Sequence, residues 1–235
     1  MASLRDITEL KDMERRFRLM ETLSLLGEMS VGLAHELKNA LLPVKLLLDL
    51  EEWDKEDIGI IRQSVARVDR VVVNMLNFAR QEKEVKSMFS LKELVEGLKN
   101  LFEPIVKEKG INFLCEFENM ELYMERGALE LVLVNLIKNA MDAVDMGGKV
   151  ELRVERRGER LTFSVRDDGP GIPEGIREKV FEPFFTTKKG GTGLGLSIAL
   201  RYAYMLGGSI NLESENGPGT HISFEVPINA KGPGG

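Results

Sequence analysis

The sequence predicts an α+β protein of two domains. An antiparallel helical hairpin, which pairs with a second copy into a dimeric four-helix bundle, precedes a compact mixed α/β domain. Three observations predict it. Apolar residues recur at alternating steps of three and four up to about Lys83. From Phe89 onward, helical stretches alternate with short strands of period two. Glycine then concentrates between Asp168 and Gly219, where tight turns and close backbone approach are expected.

The first seam runs Leu19, Leu23, Leu26, Ser30, Leu33, Leu37, Ala40, Val44, Leu47, the spacing of a coiled-coil stripe. Glu51 to Asp54 breaks it, and Asp54 with Asp57 marks a new helix start. The seam resumes at Ile58 and runs through Ile61, Val65, Val68, Val72 and Met75 to Ala79. Leu25, Leu41, Leu42, Leu46 and Leu48 lie off it. One hairpin cannot cover them, so a homodimer is expected. Pro43 falls inside the first helix and either kinks it or is tolerated on a curved rod.

In the second half, helices are expected at Leu91 to Lys109 and Ala128 to Val144. Strands are expected at Ile111 to Glu118, Lys149 to Arg156, Leu161 to Asp167, Ser209 to Ser214 and His221 to Val226. The boundaries that follow are a leading segment 1–18, a hairpin 19–83, a hinge 84–89, a mixed domain 90–228 and a tail 229–235.

Composition narrows the function classes. The chain has 235 residues, 43% hydrophobic and 30% charged, enough for a packed core. A net charge of -6 argues against nucleic acid as the main partner. No apolar run reaches the roughly 18 to 20 residues of a membrane span, so a soluble, cytoplasmic chain is expected. One cysteine and two histidines exclude an internal disulfide and a Cys/His zinc site.

Those two histidines differ. His35 lies between seam residues Leu33 and Leu37, and at about 100° per residue it points away from the stripe. Glu36 can fix its tautomer so that the other ring nitrogen attacks an electrophile, and Asn39 lies one turn on. His221 falls in a strand beside Thr220 and reads as structural.

Asn135, Asn139 and Asp142 form a polar stripe on an otherwise apolar helix, with amide oxygens suited to Mg²⁺. Lys138 either reaches a phosphate or snorkels to water. The run Arg166 to Pro173 ends a strand in paired acids and a Gly-Pro-Gly turn, where a carboxylate can accept from an exocyclic amine such as that of adenine. Phe181 to Lys188 leads into Gly190, Gly191, Thr192, Gly193, Leu194, Gly195 and Leu196, a glycine run expected to open a helix that can hold an anion. No Gly-Lys-Ser/Thr follows, and no βαβ unit with a distal acid surrounds it, so it is neither a Walker loop nor a dinucleotide fingerprint.

In this order the motifs resemble the cytoplasmic core of a two-component sensor histidine kinase. His35 to Asn39 resembles the H box, Asn135 to Ala140 the N box, Asp167 to Gly171 the first glycine box, Phe181 to Phe185 the F box and Gly191 to Leu196 the second glycine box. Gly219 and Thr220, followed by Ser223 and Phe224, look like the last strand motif. The resemblance implies a dimerisation and phosphotransfer hairpin followed by a Bergerat-type α/β sandwich that binds ATP with Mg²⁺. It implies His35 as phosphoacceptor, Glu36 as its base or orienter, and Asn39 as an aid to phosphotransfer or dephosphorylation. Asn139, with Asn135 nearby, would hold Mg²⁺, and Asp167, supported by Thr220, would read the adenine amine. Gly169, Gly171, Gly191, Gly193 and Gly195, with Leu194, would frame a lid over the phosphates, and Lys188 would contact them.

The chain departs from the family at Asp168, where asparagine is common, and at Ala40, where proline is frequent. Thr186 to Gly190 is short, which implies a small lid. Asp6-Ile7-Thr8 is similar to the end of a PAS sensor, so 1–18 would be a connecting helix and the chain the output half of a longer protein. The implied partner is a response regulator receiver domain, and phosphatase activity toward it is compatible with Asn39. A hydrolytic ATPase of the gyrase or chaperone kind is disfavoured. Those enzymes place a glutamate one turn before the magnesium asparagine, and here that position is Asn135. A scaffold with a degenerate pocket is disfavoured by the intact glycine boxes.

Overall fold

The structure is a computed structural model that describes residues 34, 37–50, 52–79, 85–188, 191–213 and 218–228. The chain divides into two units, Met1–Gln81 and Glu82–Gly235.

In the first unit, α1 covers helical residues 37–48 and runs through Pro43, and α2 is Lys55–Ala79. The expected start of α2 is built as a reciprocal cap. Asp54 Oδ1 accepts from Glu56 N–H at 2.7 Å and Asp57 N–H at 2.8 Å, and Asp57 Oδ2 accepts from Asp54 N–H at 3.1 Å. Trp53 Nε1 donates to Leu47 O at 2.7 Å and so satisfies a carbonyl at the end of α1. Ala40 and Ser64 are buried, while Leu41, Leu42, Leu46 and Leu48 are exposed. The seam residues Ile58, Val65 and Val72 are exposed as well. The parts of the first seam before Ala34 lie outside the described residues.

The second unit opens with β1, Ser87–Ser90, paired antiparallel with β3, Glu121–Met124. Neither strand is evident in the sequence, and β1 begins inside the stretch expected as a hinge. Four residues show too little alternation to stand out from loop, and the pair is fixed instead by burial of Phe89, Leu122 and Met124. Ser90 caps α3, Leu91–Lys109, by accepting from Lys92 N–H at 3.2 Å, and Gly110 ends it with a left-handed φ of 63°.

The main sheet contains β2 (Asn112–Phe117), β4 (Lys149–Arg157), β5 (Arg160–Asp167), β6 (Ser209–Leu212) and β7 (Thr220–Pro227). Its order is β2-β4-β5-β7-β6, with β2 and β4 parallel and the other pairs antiparallel. α3, α4 (Arg126–Ala143) and α5 (Gly195–Met205) form the second layer: α4 packs on β4 and β5, α3 on β2, and α5 on α4, β6 and β7. Alternation puts Val150, Leu152, Val154, Leu161, Phe163 and Val165 into this core. The Phe163 and Phe224 rings stack at 5.7 Å between centroids. The other sheet face carries ion pairs such as Lys149–Glu151 and Arg153–Glu116. Among the described residues no helix is long and apolar enough to cross a membrane.

Candidate functional site

Asp167 ends β5 and is 6% exposed. Its Oδ1 accepts from Gly169 N–H at 2.9 Å and Thr220 N–H at 3.2 Å. Burial pushes its pKa above the ordinary aspartate value. The donors from Gly169 and Thr220 pull it back, and neighbouring Asp168 pushes it up again. Both backbone donors end on Oδ1, and the Thr220 side chain adds a further hydrogen bond to the carboxylate. The turn beyond is squeezed. A Cβ on Gly169 would stand 2.8 Å from Ala143 O, at the end of α4, and Gly219 N–H donates to Gly169 O at 2.6 Å. Gly171 completes the turn at φ 77°. Thr220 is buried at the start of β7, in register with Asp167.

On α4, Asn135 and Asn139 are half-buried, Asp142 is exposed, and Lys138 is exposed off the stripe. Asn135 Nδ2 donates to Leu131 O at 2.8 Å, which commits one amide N–H to the helix backbone and fixes the side chain. Its Oδ1 looks to α5: a Cβ on Gly195 would lie 3.3 Å from that oxygen and 3.8 Å from Asn139 Nδ2. Gly195 is therefore the first residue of α5 against the asparagine stripe, and not part of a free loop. No side chain caps α5, and Leu194 is buried in the core, so at this position only backbone can meet a ligand.

The F box and second glycine box are joined. Phe184 has φ 66°, Gly193 has φ 64°, and Phe184 N–H donates to Gly193 O at 3.0 Å. A Cβ on Gly193 would come within 2.6 Å of Phe184 Cα, so only glycine fits. Gly191 is close to Thr186, whose Oγ1 accepts from Lys188 N–H at 3.1 Å. Lys188 Nζ donates to Asn139 O at 3.1 Å and stands 3.9 Å from Asp142 Oδ2. Partial burial depresses its pKa, and Asp142 and then Asp167 oppose that. Lys189 and Gly190 lie outside the described residues.

Asp167, Gly169, Thr220, Asn135, Asn139, Lys188 and Gly195 thus share one side of the helix layer, reached from β5, β7, α4 and α5. His35 and Glu36 lie outside the described residues, and Asn39 is exposed on α1. His221 Nδ1 lies 3.3 Å from Glu213 Oε2, and Glu213 also accepts from the Ser223 hydroxyl, a sheet-face role as expected. Lys109 escaped the sequence reading. Its Nζ donates to Met141 O at 2.9 Å and Val144 O at 3.1 Å, closing the end of α4 beside Gly169. Its only sequence signal was a basic residue in the last turn of α3, since its partners are 32 and 35 residues away.

A buried aspartate at a glycine turn, an asparagine stripe and an uncapped helix start thus come together in the second unit, and comparison gives its class. Residues 124–230 match the profile of the histidine kinase-, DNA gyrase B- and HSP90-like ATPases, so the second unit is an ATP-binding domain with a Bergerat-type sheet. The catalytic domain of histidine kinase ThkA is 37% identical with a TM-score of 0.56, over 60% of this chain and 95% of that one. ThkA in complex with the response regulator protein TrrA gives a TM-score of 0.77 at 32% identity, over 93% of this chain and 66% of that one. Sporulation kinase A of Bacillus subtilis (strain 168) is 32% identical over 95% of this chain and 38% of its own length. The signal transduction histidine-protein kinase AtoS of Escherichia coli (strain K12) is 29% identical over 97% and 39%. The chain belongs to the sensor histidine kinase family. It spans about two-fifths of the length of these two curated relatives.

Proposed function

We propose that the chain is the kinase core of a longer sensor: it binds ATP with Mg²⁺, phosphorylates His35, and passes the phosphoryl group to an aspartate of a response regulator receiver domain. The observation that carries the site is the approach of Gly195, at the start of α5, to Asn135 and Asn139 on α4. A helix N-terminus favours phosphate, and amide oxygens beside it suit a hard cation bound to that phosphate. Asn135 fits this use because one of its two amide N–H groups is held by Leu131 O, which fixes the side chain and leaves Oδ1 as the acceptor. Asn139 and Asn135 are the residues that would hold Mg²⁺, which when bound neutralises phosphate charge during transfer.

The chain's own groups supply the rest. Asp167 orients the base through the adenine amine, with Thr220 and Gly169 holding the carboxylate in place. Lys188 exchanges Asn139 O for a phosphate oxygen, and Gly191 and Gly193 let the backbone approach it. His35 attacks with its free ring nitrogen while Glu36 holds the other, and Asn39 assists transfer or dephosphorylation. The domain plan fits this reading with one change: connector 1–18 and hairpin 19–83 are kept, while the ATP-binding domain, expected at 90–228, takes in β1 from Ser87, inside the expected hinge 84–89. The exposed Leu41, Leu42, Leu46 and Leu48 support pairing of two hairpins in a homodimer. The reading also includes an upstream PAS-type sensor, supported by the similarity of Asp6-Ile7-Thr8 to the end of such a domain, and a location in the cytoplasm, where ATP and the regulator meet the chain.

Incubation with γ-labelled ATP should give acid-labile, base-stable label that is absent from His35→Gln. Label persisting in that variant rejects His35. Sedimentation equilibrium showing a monomer rejects the paired hairpin.

A further inference from the structure

The last turn of α4 backs the glycine turn after β5, and α4 does not close that end by itself. A helix leaves its last four carbonyls without intrahelical partners. α4 leaves through Val144 in extended backbone, φ -85° and ψ 148°, so no left-handed cap folds back on those oxygens. Its last turn holds no basic residue, and Asp142 there carries the sign that a helix C-terminus disfavours.

The cation comes from α3. Lys109 is half-buried, and its Nζ donates to Met141 O at 2.9 Å and to Val144 O at 3.1 Å. The main chain makes a separate tie: Lys109 O accepts from Gly147 N–H at 2.8 Å, and Gly148 O accepts from Asn112 N–H at 2.8 Å. The turn after α4 is therefore held by backbone whatever side chain stands at 109. The ammonium serves the helix carbonyls.

In sequence, Ala143 lies between the two acceptors, and its carbonyl is the one that meets the site. A Cβ on Gly169 would stand 2.8 Å from Ala143 O and 2.9 Å from Asp167 Oδ1. Gly169 is buried, its N–H donates to Asp167 Oδ1 at 2.9 Å, and its O accepts from Gly219 N–H at 2.6 Å. From ammonium to carboxylate the route thus runs through close backbone contacts. When the end of α4 frays, Gly169 loses the surface behind it, and the amide that holds Asp167 moves with it.

We propose that Lys109 is a positioning residue for base recognition: by closing the end of α4 it fixes Gly169 and, through Gly169, the aim of Asp167. This rests on the reading of Asp167 as acceptor of the adenine amine. Lys109 acts through backbone and not on the ligand, so its removal costs the part of the affinity that depends on that amine.

The test compares ADP with purine riboside 5′-diphosphate, which lacks only the exocyclic amine, by calorimetric titration of the full chain. Wild type should prefer ADP by about tenfold, the worth of one hydrogen bond to a charged acceptor. Lys109→Met keeps the apolar stem and removes the ammonium, and it should cut that preference by about threefold or more. Lys109→Arg, which can still donate to both carbonyls, should retain it. If the methionine variant does not fold, Lys109→Gln gives the same comparison. Equal weakening of both ligands, with the preference intact, marks a merely structural lysine and overturns the proposal. So does an arginine variant that loses the preference as the methionine variant does. Absence of any preference in wild type overturns the adenine reading itself, and the proposal falls with it.

Discussion

Lys188 donates to the main-chain oxygen of Asn139 at 3.1 Å, across 49 residues of sequence. The same asparagine carries the amide proposed to hold Mg²⁺, so the segment that follows the F box is tied to the turn of α4 that bears it. The lysine is a movable cation already at the site, and the partial burial that depresses its pKa favours its taking a phosphate partner.

That placement predicts selectivity for phosphates in a variant. Lys188→Met should weaken ATP binding by roughly tenfold, the loss of one charge-assisted hydrogen bond, and leave adenosine affinity unchanged. Calorimetric titration with both ligands measures it. An equal loss for adenosine would mean that Lys188 only supports the fold.

Asp167 should show opposite effects on binding and stability. Its folded pKa is raised, so the folded state holds more protons than the unfolded state between the unfolded pKa and the folded one. Stability therefore falls as pH rises through that window, and at neutral pH the buried charge is a cost. Asp167→Asn keeps an Oδ1 for Gly169 and Thr220 but removes the charge and offers an N–H to the adenine amine. ATP affinity should drop tenfold or more while Tm rises, by about 2–4 °C for each kcal/mol gained. Thermal melts and binding on the same sample test both halves.

Gly193→Ala places a methyl at φ 64° and within 2.6 Å of Phe184 Cα. The left-handed conformation alone costs about 1–2 kcal/mol, before the contact is relieved. Tm should fall, and ATP affinity should fall further than in Gly175→Ala, where an added Cβ meets nothing within 4 Å. Equal behaviour of the two variants would rule out the junction.

Cys115 should be a poor nucleophile, since burial pushes its thiol up to about 11. Alkylation of the native chain by iodoacetamide should be slow at pH ~8 and still accelerating beyond pH ~9, and should become fast in denaturant. A rate that levels off near pH 8.5 would contradict the burial.

How far these features could be read beforehand depended on the length over which their causes act. α3 was legible to its ends because the apolar period, the Ser90 cap and Gly110 all lie within it. Asn135 and Asn139 stood out because burying amides on an apolar helix is costly. β1 and β3 were not legible, since each is four residues and owes its place to partners some thirty residues away. Lys109 was missed for the same reason, and the hydrogen bonds between Asp168 and Lys149 emerged only with the sheet register. Gly195 was expected in a run that opens a helix and, by the resemblance, to frame a lid. Its neighbours Leu194, Ile198 and Ala199 are buried, and that packing makes it the first turn of a helix.

The hydrogen bond between Phe184 and Gly193 also bears on how this site can diversify. It pins Phe184 and Gly193, both left-handed, at the two ends of the segment between them. With the ends fixed, the cost of lengthening the loop grows only logarithmically, about 0.6 kcal/mol for each doubling. Insertions between Thr186 and Gly191 would thus be absorbed as chain entropy and would not displace Asp167, Asn139 or α5. The length of this segment can therefore vary by insertion and deletion while Asp167, Asn139 and α5 stay in register.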